Sequence, residues 1–143
     1  MRRLTQNTKV EALGRAPLFE GLSRKELIEL ARVTEDLHVP AGTVLCKEGG
    51  LGREFFVIVE GTVEVTRGGV LVATREAGEF VGEIALLTTT RRTATVRATT
   101  PLRCLILVRA DFRRVLDENR SIERKVMEAL AERLASYASD SAF

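Results

Sequence analysis

Apolar residues along this chain change their spacing twice, which divides it into three stretches, 1–36, 37–109 and 110–143. In the first, Val10, Leu13 and Ala16 recur at helical spacing, and Pro17 ends this weak helix over 8–16. Leu18, Phe19 and Leu22 then gather around Gly21. Ser23 with Glu26 forms a capping box, and Leu22 faces Leu27 as a hydrophobic staple. A second helix is predicted there, burying Leu27, Ile28, Leu30 and Ala31.

From Leu37 to Val108 the period falls to two. Strands are predicted over 43–47, 55–59, 62–66, 70–75, 94–98 and 102–108, with glycine- or proline-containing turns between many of them. Gly68–Gly69, flanked by alternating apolar residues, predicts a tight hairpin. Many short β-branched strands at close spacing mean an all-β sandwich, barrel or roll. After Val108 the helical period returns. Asp111 is expected to cap a short helix over 112–118, and Ser121 to cap the last and longest one. In that helix Ile122, Val126, Leu130, Leu134 and Tyr137 make a continuous apolar stripe.

Composition narrows the function. A chain of 143 residues fits one domain with a sizeable core. The formal net charge of +2 is too small to argue for nucleic acid. No apolar run reaches the length of a membrane span, and MRRLTQNTK lacks the apolar centre of a secretory signal. Cys46 and Cys104 sit in separate strand-like runs, the pattern of buried thiols, so a cytoplasmic location is expected. The single histidine, His38, argues against a histidine-built metal site. No nucleophile–base set and no Walker-type loop is visible, so neither catalysis nor a cofactor is expected.

The stretch 78–98 interrupts the strands with chemistry suited to an anion. Gly82 and Glu83 precede the apolar run Ile84 to Leu87, long enough for one or two helical turns. The start of such a helix presents unpaired N–H groups to a phosphate. Arg92 supplies a forked guanidinium, and Thr93 a hydroxyl beside it. Glu83 would be repelled by a phosphate unless it has separate work, such as accepting bonds from sugar hydroxyls. A sugar phosphate or a nucleotide satisfies both demands.

The run FVGEIALLTTTRRTATV resembles the phosphate-binding cassette of cyclic nucleotide-binding domains, the β-rolls of catabolite-activator-like regulators and of cAMP-dependent kinase regulatory subunits. Gly82, Glu83, Ile84, Ala85 and Leu86 match its first half, and Arg92, Thr93, Ala94, Thr95 and Val96 its second. The resemblance implies a double-stranded β-helix, jelly-roll-like and mainly β, with N-terminal helices, a short cassette helix and a C-terminal helix pair. It implies that Glu83 binds the ribose 2′-hydroxyl, Arg92 the cyclic phosphate, and Thr93 the phosphate or base. It places Val65, Val72 and Cys46 on the pocket wall and Tyr137 over the base. Arg133, one turn before Tyr137, is then within reach of Glu83. The ligand implied is cAMP, with cGMP as the alternative. The N-terminal and C-terminal helices would shift on binding, the last helix would pair in a homodimer, and an effector would receive the signal; the alternative is a β-roll interaction or dimerisation module whose pocket is empty or holds a different small ligand. The chain ends at Phe143 without room for a helix-turn-helix, so direct nucleic-acid binding is not expected. Arg91 stands where the family usually has proline, which predicts a looser and more positive loop.

Overall fold

The computed structural model describes residues 4–141. Among these residues four helices, α1 (Gln6–Gly14), α2 (Arg24–Ala31), α3 (Arg109–Glu118) and α4 (Arg120–Ser141), bracket ten strands. These are β1 (Glu35–Val39), β2 (Val44–Cys46), β3 (Leu51–Gly52), β4 (Glu54–Glu60), β5 (Thr62–Arg67), β6 (Val70–Glu76), β7 (Phe80–Val81), β8 (Thr90–Arg91), β9 (Thr95–Ala98) and β10 (Leu102–Val108). Single 3-10 turns occupy Pro17–Phe19 and Glu83–Leu86. The strands form two four-stranded antiparallel sheets, ordered β1-β10-β4-β7 and β2-β9-β5-β6, and a short ribbon, β3-β8. The architecture is the expected β-roll with helices at both ends.

The first sheet is covered on both faces. From β4, Phe55 and Val57 point into a cluster with Leu13, Phe19, Leu30, Phe112 and Val126 of the helical ends. Their neighbours Phe56 and Ile58 point the other way, to Val63, Val96 and Cys104 between the sheets. Two buried faces explain why β4 reads as an unbroken apolar run rather than an alternation. In the second sheet the hairpin end of β6 is open to solvent, with Val70, Leu71 and Val72 exposed.

Local signals set the N-terminal helices. The Ser23 hydroxyl accepts from the Glu26 N–H at 3.2 Å, and the Glu26 carboxylate accepts from the Ser23 N–H at 2.8 Å, completing the capping box. Two other expected caps are corrected. Asp111 lies inside the first turn of α3, where it pairs with Arg114 at 2.6 Å, and Val108 holds the cap position without a side-chain bond. Ser121 lies inside α4, and its hydroxyl donates to Glu26 Oε2 at 2.6 Å. Both sites respond to a neighbour rather than to their own helix end.

Glu26 therefore ties the two ends of the chain, since Lys125 Nζ also donates to its Oε1 at 2.7 Å. Burial pushes this carboxyl up, but bonds from Lys125, Ser121 and Ser23 outweigh it and hold its pKa at about 2. An acid depressed on folding stabilises fully above its unfolded value of 4.5, and the gain disappears as pH falls through about 2. Glu26→Gln should cost roughly 2 kcal/mol at neutral pH. It should also flatten part of the loss in urea midpoint between pH 5 and 2, measured against the parent chain.

Candidate functional site

A cavity of about 350 Å³ opens between the β5-β6 hairpin and the segment from Phe80 to Ala94. Glu83, Ile84 and Ala85 of the turn Glu83–Leu86 line it. β7 ends at Val81, and Gly82 after it, with φ of +82°, reverses the chain into that turn. One turn forms where one or two were expected, and a single turn carries little dipole. The positive charge of the site is chiefly that of arginine side chains.

Arg92 is held from several directions. Its Nη2 donates to the carbonyl of Glu54 at 2.7 Å. A Cβ on Gly52 would stand 2.8 Å from its Nε, and one on Gly82 only 2.5 Å from its Nη1. The guanidinium thus lies in a slot that two missing side chains create. Its backbone is fixed as well, with Arg92 N–H on Gly50 O at 2.7 Å and Gly49 N–H on Arg92 O at 2.8 Å. Arg91, expected to loosen this loop, is paired with Leu51 in the β3-β8 ribbon, and its Nη1 donates to Gly49 O at 2.9 Å. Strand pairing supplies the restraint that proline would have given.

Gly82, Glu83, Ile84, Ala85, Arg92, Thr93, Ala94, Val65 and Cys46 all line the cavity. Ala85 and Ala94 are buried, Ile84 is exposed at the mouth, and Glu83 Oε2 is buried. Burial pushes the Cys46 thiol up, more than the charge of Arg92 draws it down, so Cys46 is wall rather than nucleophile. Val72 does not line the cavity. Val65 pairs with Ala73 and Thr66 with Leu71, so a bulge at Val72 turns that side chain to solvent and puts Ala73 opposite Val65. The side chains of Arg133 and Tyr137 lie outside the described residues. Sequence reasoning missed Arg67, Arg75, Phe80 and Gly52, which also line the cavity. Arg67 Nε donates to the Thr93 carbonyl at 3.0 Å, joining the hairpin to the loop after Arg92. No group of three or more histidine, cysteine or carboxylate side chains suited to a metal occurs among the described residues.

Fold and site together define a β-roll with a cationic pocket of small-molecule size. The chain belongs to the cyclic nucleotide-binding domain family, whose model matches residues 36–119. It is 38% identical over 117 residues to a cyclic nucleotide-gated potassium channel of Rhizobium etli, covering 82% of this chain and 33% of that one. It is 32% identical over 133 residues to a cAMP-dependent protein kinase regulatory subunit of Blastocladiella emersonii, covering 89% and 33%. The chain thus spans about a third of the length of these relatives. The crystal structure of the N-terminal domain of a transcriptional regulator from Streptomyces coelicolor superposes with a TM-score of 0.85 at 28% identity, covering 90% of this chain and 95% of that one. No helix among the described residues is long and apolar enough to cross a membrane.

The slot makes a direct prediction. Gly82→Ala must displace the Arg92 guanidinium or the chain itself, and should cost about 3 kcal/mol. Gly78 also has positive φ, +92°, but a Cβ there would stand 3.5 Å from its nearest neighbour, Arg15 Nη1, an ordinary contact. Gly78→Ala should cost about 1 kcal/mol, from backbone strain alone. Urea denaturation midpoints of the two variants check the difference.

Proposed function

We propose that this chain is the sensor domain of a signalling protein and binds a purine 3′,5′-cyclic nucleotide. The observation that carries the reading is the seating of Arg92. A guanidinium fixed by a backbone carbonyl keeps its full charge and directs it into a cavity of mononucleotide size. The cyclic phosphate docks on Arg92 with Thr93 beside it, and the ribose 2′-hydroxyl donates to Glu83. Val65, Cys46 and Ala94 give the base an apolar wall. Phosphate and ribose are common to cAMP and cGMP, so these seats do not choose a base, and cAMP rests on likeness to the bacterial regulators and kinase subunits. Tyr137 covers the bound base and Arg133 steadies Glu83.

The route outward runs through Leu86. It closes the cassette turn and is 1% exposed in the cluster shared by the N-terminal and C-terminal helices. A ligand that draws the turn toward itself shifts those helices only by as much as it prefers one arrangement over another. Helix α4, where Met127 lies exposed, is the surface for a second copy or an effector. The free, buried cysteines suit a cytoplasmic protein.

Titration calorimetry tests the reading. One charge-assisted bond contributes about 1.5–3 kcal/mol, so Arg92→Leu should weaken cyclic nucleotide binding by about one to two decades. Glu83→Ala should weaken binding of the ribose form while leaving a 2′-deoxy analogue unchanged. Absence of heat with both cAMP and cGMP would leave an interaction module with an unused pocket.

A further inference from the structure

The cavity is more cationic than a single cyclic phosphate requires. Arg67, Arg75, Arg91 and Arg92 line it, against one carboxylate, Glu83. Three of these arginines hold the site together by reaching other segments: Arg92 to Glu54 O, Arg91 to Gly49 O and Arg67 to Thr93 O. Arg75 does not. Its hydrogen bond, from Nη1 at 2.9 Å, goes to the carbonyl of the preceding residue, Thr74. No carboxylate among the described residues lies within ion-pair distance of it.

Its place in the sheet is unusual for an arginine. Arg75 is registered opposite Val63, which is fully buried between the sheets, and two positions along β6 from Ala73, which faces Val65. It therefore occupies the inner, apolar side of the hairpin, half-buried. Its guanidinium is partly open to solvent and most of its five N–H donors are uncommitted to the protein, so they are available to an acceptor that enters the cavity.

We infer that Arg75 reads the base of the bound nucleotide and that the base is guanine. The inference rests on the cyclic nucleotide reading above. With the phosphate on Arg92, the apolar wall that includes Val65 carries the purine, and Arg75 lines the same cavity from β6. Guanine presents two adjacent acceptors, O6 and N7, which match the paired donors of a guanidinium. Adenine presents N7 beside the N6 amino group, a donor facing a donor. A second phosphate would also answer Arg75, but about 350 Å³ lies at the small end of ligand pockets and fits one nucleotide rather than two.

The test is a calorimetric titration of the full chain with cGMP, cIMP and cAMP. cIMP keeps O6 and N7 but lacks the 2-amino group, so it separates Arg75 from any contact between that group and Thr93. The parent chain should bind cGMP and cIMP about tenfold or more tighter than cAMP. Arg75→Leu should collapse that ratio by weakening cGMP and cIMP, with cAMP affinity held or raised. Arg75→Lys, which keeps the charge but not the fork, should lose most of the preference too. Circular dichroism melts establish that both variants fold. Equal affinity for cAMP and cGMP in the parent, or a uniform loss in Arg75→Leu, overturns the guanine assignment and leaves the sensor standing. Failure of all three nucleotides to bind overturns both.

Discussion

The bond from Arg92 to the main-chain carbonyl of Glu54 is the constraint on which the site depends. Its partner is a dipole, not the carboxylate of the same residue. A carboxylate would have cancelled the charge that the cavity needs, whereas a carbonyl orients the guanidinium and leaves that charge for an anion. The geometry draws four segments together. β3 and the residue after β7 contribute glycines at the two sides of the slot, β4 contributes the carbonyl, and the residue after β8 is the arginine itself. Moving any one of them moves the charge.

What keeps β4 still is its burial on both faces. One row of its side chains packs under the helices and the other between the sheets. A strand locked in this way is a rigid rail for the carbonyl that aims Arg92, which is how a loop-borne residue gains the precision of a sheet. The helical ends are joined independently, through Glu26 with Lys125 and Ser121. Site and helices then meet at Leu86.

The roll was legible because its longer strands are β-branched or apolar runs bounded by turn residues, and because the cassette is a dense local motif. The capping box at Ser23 was legible for the same reason, all its parts being within four residues. Strands β3, β7 and β8 have two residues each, too few to show any period. The bulge that turns Val72 outward depends on the register with β5, which β6 alone does not encode. Ser121 and Lys125 meet Glu26 from 95 and 99 residues away, so local rules read Ser121 as a cap. Arg75 was missed on the same ground: its facing follows from that register rather than from spacing.

Placement of Leu86 bears on how such a site could speak to the helices. The residue is at once the end of the cassette turn and part of a cluster that contains Leu13, Phe19, Phe112, Ile122 and Val126. Close-packed interiors do not stretch; they exchange one arrangement for another. A pull on the turn is therefore transmitted as a discrete repacking around Leu86 or not at all. On the proposed reading, the Glu26 tie between α2 and α4 would couple the two helical ends, and the size of the response would be set by how strongly the ligand prefers the repacked core.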